Sequence, residues 1–494
     1  MSDSNWRIEI LRAKVQGDLG PVSTDVYEDD EIYIDKHTTS FSWSHLTTSP
    51  YSQATVNVLV PLRDLTDFGF GHYDERRDVL ELHASGYLRI IEVTGNGEIE
   101  RFYGPITGLR AGFKVDKALG SRQTVPLTFT ASTWLTPLMR GFVVSGKTSI
   151  DIGTSVIPYK RWKKIAEAVF DSAKKGGLTK ALSRAWESLA ESLVGGTVLG
   201  GEEYTKARDS AGHKILRSVD VYGRNLSQLQ PPPITGTLWG VLQNTFQASP
   251  LVEMFPAYIY DALKGETKRH LVHRMHPYTP RIAEGEVFYL NSVSGLQGQK
   301  MDTTVPFITK AKLVDIDEKN KGPYETPYVS SYDLSYNDAR NNYIEVTSPY
   351  TGATPLAGVS CDPLYHKGDI EVYGLFRVSV PYPYIRSKDD SEAKIREEMN
   401  DLTKYSSLIY SFDHKYASGT LVTKYVDGNT LSHGDWVRWR SHGPEEHFYD
   451  GYITKATHSF TVNKHGVLEG ISTYNVERVE AIVTKRPKLL QREQ

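Results

Sequence analysis

FYDGYITKATHSF at residues 448–460, with GVLEGISTYNVER at 466–478 behind it, is the stretch on which the reading of this chain turns. A second phrase, FYGPITGLRAGF, stands at 102–113, and VPLTFTAS follows at 125–132. Identity between the two is low, but their layout is the same. Each has an aromatic pair, a glycine, an Ile-Thr step, a polar hairpin region and then an alternating strand. Phe102 and Tyr103 correspond to Phe448 and Tyr449, and Ile106 to Ile453. Alternation of apolar and polar residues is the mark of a half-buried strand. The spacing therefore predicts two similar β modules at opposite ends of one chain.

Composition sets the bounds. A chain of 494 residues is long enough for about three domains. Charged residues make up 24% and hydrophobic residues 39%, ordinary values for a globular protein. The net charge is -3 and no basic patch stands out, which argues against gripping a polyanion. Tyr outnumbers Phe, 30 to 16, and there are 40 Gly, which favours strands, half-buried surfaces and turns. Cys361 is the single cysteine, so no intramolecular disulfide can form and a reducing compartment is expected. MSDSNWRIEIL lacks the apolar core of a signal peptide, and no apolar run approaches a membrane span. Assembly in a cytoplasm is the expectation.

Residues 1–145 read as one antiparallel barrel or sandwich. SQATVNVLVPL (52–62), DVLELHA (78–84), YLRIIEV (87–93), IERFYGPI (99–106) and TVPLTFTASTWL (124–135) are its strands, with a turn at TGNGE (94–98). Residues 146–230 change character. KRWKKIAEAVFDSAKK and the run around Trp186 form an amphipathic helical hairpin, about 155–195, expected to pack on its own β domain or on a neighbouring subunit. Residues 231–388 read as an α+β middle domain. It opens with a helix at TLWGVLQNTFQ that Pro250 stops, followed by two strands joined by a turn. In SSYDLSYNDARNNYIEVTSP (330–349) a turn precedes a strand. Residues 389–485 hold a charged linker helix and the second β module, in which GTLVTKYVDGNTLSHGDWVRWR reads as a hairpin about an Asp-Gly-Asn turn. Residues 486–494 are a tail.

Chemistry-bearing residues are sparse. His270, His273 and His276 are spaced by three, but on an extended strand His273 points away from the other two, and no zinc-like partner accompanies them. His414, His433, His442, His447, His458 and His465 read as turn and surface residues. Glu253, between Val252 and Met254, reads as a structural carboxylate satisfied by a backbone amide or by an arginine such as Arg274. No nucleophile elbow, phosphate loop or dinucleotide fingerprint occurs, so no catalytic residue, cofactor or metal is expected.

TLWGVLQNTFQASPLVEMF followed by KRHLVHRMHPYTP resembles the central hub proteins of phage tail baseplates. Leu238, Trp239, Leu242, Pro250, Glu253, Phe255, Arg274, Pro277 and Tyr278 carry the resemblance. YDLSYNDARNNYIEV continues it with Asp333, Asp338 and Asn341, and YGLFRVSVPY (373–382) follows. The hub part of type VI secretion spike proteins is similar too. The resemblance implies two tube-like antiparallel β-barrels, a middle α+β domain and a helical insert. It implies a homotrimer whose six barrels form a pseudo-sixfold ring in the virion, adapting a sixfold tail tube to a threefold spike and continuing the DNA channel for genome ejection. The implied partners are the tail tube, spike, tape-measure and peripheral wedge proteins. Rival expectations are a tail-associated peptidoglycan hydrolase and a receptor- or glycan-binding tail protein.

Overall fold

The computed structural model describes residues 5–13, 26–49, 51–61, 86–95, 97–112, 124–136, 142–143, 236–237, 252–261, 265–275, 289–292, 299–300, 312–314, 329–337, 340–347, 362–381, 413–425, 427–428, 431–440 and 447–483, with isolated positions at 139, 239, 240, 243, 250, 393, 396, 399, 400, 403, 406, 407, 410 and 411. The strand DVLELHA and the helical hairpin at 155–195 lie outside the described residues, as do Leu238, Leu242, Pro277, Tyr278 and Asp338.

The described chain is mainly β. Its first strands are β1 (Trp6–Ala13), β2 (Val26–Tyr33), β3 (Thr38–Leu46), β4 (Gln53–Pro61), β5 (Tyr87–Thr94), β6 (Gly97–Ala111) and β7 (Thr124–Ser132). In the middle are β8 (Phe142–Val143), β9 (Gly236–Thr237), β10 (Val252–Asp261), β11 (Glu266–Met275), β12 (Tyr289–Ser292), β13 (Gln299–Lys300) and β14 (Lys312–Val314). Then come β15 (Val329–Tyr336), β16 (Tyr343–Thr347), β17 (Leu364–Tyr365), the helix α1 (Lys367–Tyr373) and β18 (Arg377–Pro381). The last four strands are β19 (Ala417–Lys424), β20 (Trp436–Arg440), β21 (His447–Val462) and β22 (Leu468–Val483).

Among the described residues, strands from both ends of the chain share one thirteen-stranded sheet. The sheet contains one strand order twice, with β20 branching from β21 beside the main path. Five early strands lie as β3-β4-β7-β6-β5, and five late strands as β15-β19-β22-β21-β20. In chain order both sets read first, second, fifth, fourth, third, and every pairing within them is antiparallel.

The registers repeat as well. One row across the early set runs Trp43, Ala54, Ala131, Ile106. The matching row of the late set runs Leu334, Gly419, Val476, Ile453. Phe41, Val56, Phe129 and Leu109 are answered by Tyr332, Leu421, Tyr474 and Ala456. These residues face inward in two aromatic-rich cores, and Phe129, Val56, Leu421 and Tyr474 are fully buried.

The Ile-Thr step has a physical meaning. In both strands the register slips by one at the threonine, between Ile106 and Gly108 and between Ile453 and Lys455. Such a bulge bends a strand and lets it change neighbours. The Thr107 hydroxyl donates to the Thr130 carbonyl at 3.3 Å, and the Thr454 hydroxyl to the Asn475 carbonyl at 3.4 Å, the equivalent acceptor. Ahead of the bulge β6 pairs with β5, and β21 pairs with β20. The aromatic pairs differ from the sequence match by one place. Phe102 faces Ile90 as Tyr449 faces Trp439, because FYDGYIT has one more residue than FYGPIT ahead of its Ile.

Two sequence expectations change. SSYDLSY is a strand rather than a turn: its polar residues lie on the exposed face while Tyr332 and Leu334 pack inward, so pairing with β19 decides its form. GTLVTKYVDGNTLSHGDWVRWR is not a hairpin. Gly428 makes the left-handed turn (φ 75°), yet β19 pairs with β15 and β22, and β20 with β14 and β21. The stretch after Pro250 begins directly as β10, which forms a ten-pair hairpin with β11.

Candidate assembly site

The two strand sets meet where the far half of β21 pairs antiparallel with β3. Lys455 faces Leu46, Ala456 faces His45, His458 faces Trp43 and Phe460 faces Phe41. The fourth strand of one set thus takes up the first strand of the other. That is a head-to-tail contact, whose two sides are different surfaces.

Aromatic rings fill this junction. Phe41 and Phe460 stack with centroids 4.7 Å apart, and Trp43 stacks on His458 at 4.9 Å. Trp6 from β1 caps Phe460 at 4.6 Å, and Tyr425 meets the same ring edge-on at 4.7 Å. Offset and edge-on ring pairs add about 0.5–1.5 kcal/mol each beyond area burial. His458 Nδ1 lies 2.8 Å from Ser472 Oγ, and His45 Nδ1 lies 2.8 Å from Ser52 Oγ. Burial lowers His45 to about 4, and burial together with Arg101 pushes His458 well down. The junction is built for neutral imidazoles. His458 and His433 are buried, not surface residues, because their strand and turn are roofed by other elements.

A carboxylate ties the sets together beside the rings. Glu92 on β5 is fully buried and accepts from Arg101 Nε at 2.7 Å, the Tyr425 hydroxyl at 2.9 Å and the Gly428 amide at 2.7 Å. The Asp427–Gly428 turn is thereby anchored on the first strand set, and Asn5 also donates to Asp427 at 2.5 Å. Sequence reasoning missed Glu92, Arg101 and Tyr425. The only signal was an acid directly after the apolar pair Ile90-Ile91 in YLRIIEV.

The β10–β11 hairpin lies over both sets. On the early one, the Tyr258 hydroxyl donates to the Tyr103 carbonyl at 3.0 Å and accepts from the Tyr103 amide, and Arg269 grips Glu100 with bonds of 2.6 and 2.7 Å. On the late one, the Tyr452 hydroxyl donates to Glu253 at 2.5 Å, and His433 Nε2 is 2.6 Å from the Pro256 carbonyl. Phe255 is fully buried, edge-on to His433 at 4.9 Å. Glu253 is therefore a buried structural acceptor, held by a tyrosine from β21, and Arg274 faces it across the hairpin. Trp239 is buried, while Pro250 is exposed at the turn before β10. Asn341 donates to Asp413 at 3.1 Å and to the Tyr410 carbonyl at 3.3 Å. Burial raises Asp413 to about 6 despite nearby Arg478. Asp333 is exposed on β15. Trp239, Glu253, Asn341 and Asp333 thus serve packing and connection at separate places rather than one reacting centre.

Among the described residues, no group of three or more His, Cys, Asp or Glu could hold a metal ion, and no helix is long and apolar enough to cross a membrane.

No protein-family model matches the chain, and no curated protein does. Solved structures do. A tail protein from Neisseria meningitidis is similar over 96% of this chain and 96% of its own, at 9% identity and a TM-score of 0.45. A 43 kDa tail protein of prophage MuSo2 from Shewanella oneidensis covers 96% of this chain and 98% of its own, at 8% identity and a TM-score of 0.44. An E. coli component of the type VI secretion system, described as similar in structure to T4 bacteriophage tail proteins, covers 97% of this chain and 80% of its own at 9% identity and a TM-score of 0.33.

Proposed function

We propose that this protein is a structural hub of a phage tail baseplate, or of a related injection machine. In this reading the two strand sets are tube-like barrels, and three chains close a ring of six barrels. The ring adapts a sixfold tube to a threefold spike and continues the channel for DNA. The observation that carries the reading is the repeated strand order together with the head-to-tail junction of β21 and β3. A head-to-tail contact repeated between copies either closes into a ring or grows without end. Duplication within one chain lets three subunits present six like surfaces. A net charge of -3 suits a conduit, because a basic lumen would hold phosphates. The role is non-catalytic, with tail tube, spike, tape-measure and wedge proteins as partners.

Light scattering on the purified protein, alone and with tail-tube protein, tests this. The expected result is a mass of three chains and co-sedimentation with tube. A stable monomer that ignores tube protein under all conditions contradicts it.

A further inference from the structure

The internal junction uses one edge of β21 and one edge of β3, and the repeat supplies an equivalent of each. β6 stands in the early set where β21 stands in the late one, and β15 stands where β3 does. We infer that β6 of one copy pairs antiparallel with β15 of the next, in the register of the β21–β3 junction. Carried over pair by pair, that register sets Leu109 opposite Tyr336, Arg110 opposite Ser335 and Ala111 opposite Leu334. The inference rests on the ring reading above and names the surface that closes it.

Exposure supports it. Thr454, Ala456 and His458 on β21 are buried, while their equivalents Thr107, Leu109 and Ala111 are exposed, half-buried and exposed. On the other side His45 is 5% exposed, whereas its equivalent Tyr336 is 64% exposed. Trp43 and Phe41 are buried, and their equivalents Leu334 and Tyr332 are only half so. Among the described residues, the second edge of β15 and the edge of β6 beyond its bulge carry no strand. An open edge with apolar residues invites pairing with another chain. A second copy is the occupant because this chain already seats its own β3 on the equivalent edge.

Opposed residues of an antiparallel pair have Cα atoms about 4.5–5.5 Å apart, within disulfide reach. The test is Arg110→Cys with Ser335→Cys in a Cys361→Ser background, oxidised and run without reductant. The prediction is a ladder ending at the mass of the native oligomer. Pairing Arg110→Cys with Asp333→Cys, two residues out of register, should link at least about tenfold less. An oligomer that forms without the 110–335 link, or an internal link that runs as monomer, overturns this pairing and leaves the ring reading standing. A monomer at every concentration overturns both. In the unaltered protein, those amides of 108–111 and 331–336 that point away from β7 and β19 should exchange slowly in the oligomer and rapidly on dilution. Rapid exchange in the oligomer contradicts the pairing.

Discussion

Gly104 and Gly451 stand at matching places, opposite Leu88 and Val437, and neither has room for a side chain. A Cβ on Gly104 would lie 1.7 Å from the Ser132 carbonyl oxygen, which is backbone and cannot give way. On Gly451 it would lie 3.0 Å from a Val479 methyl and 3.2 Å from the Trp439 ring, which can shift. Overpacking costs about 1–3 kcal/mol where neighbours adjust. Gly104→Ala should exceed that range and Gly451→Ala should fall within it, as read by chemical denaturation. A pH effect belongs at this scale too. His45 is held at about 4 in the fold against an ordinary 6.5, so between these values the unfolded chain takes a proton that the folded chain refuses. Its contribution is complete above about pH 6.5 and shrinks as pH falls towards 4, by about 1.4 kcal/mol per unit. Melting temperature should drop from pH 7.5 to 5.5, and His45→Asn should flatten the drop. An equal slope in the variant would contradict this.

At the scale of elements, the junction depends on Glu92 and on the rings. Removing one partner of a buried ion pair costs about 3–5 kcal/mol, because the other charge is stranded. Glu92→Gln should cost that much, and Arg101→Met added to it should restore part, as a double-mutant cycle by thermal unfolding would reveal. Phe460→Ala opens a hole under four rings and should cost about 3–5 kcal/mol. Much of the strand content was legible. Val56, Val58 and Val60 recur at every second position, and the Ile-Thr step is shared by both phrases, though that each marks a bulge is visible only from the strand registers. The pairing order was not legible. β19 and β20 are joined by a good turn, yet β22 and β21 lie between them, since burial of Leu421 against Tyr474 outweighs local hairpin chemistry. β15 was hidden because half its residues are polar and exposed. Glu92 and His458 were hidden because a buried polar residue is recognised by its partners, which are distant in sequence.

For the whole molecule, one sheet joins the two ends of the chain, and its repeated strand order makes a second head-to-tail contact between copies geometrically natural. A ring built this way should resist dilution more than a pair of rigid domains in surface contact, because each closure adds a strand pair to a continuous sheet. Tyr336→Lys should therefore weaken the oligomer, seen as a rise of at least about tenfold in its dissociation constant, while leaving the melting temperature of the monomer nearly unchanged, as for other exposed substitutions. The central claim, that three chains present six like units around one axis, is tested most directly by averaged end-on electron-microscope images of the purified oligomer. The account predicts a ring with an open centre and six similar densities, strong sixfold rotational power and a weaker threefold component. A closed or twofold particle, or a ring whose densities alternate without resemblance, would contradict it.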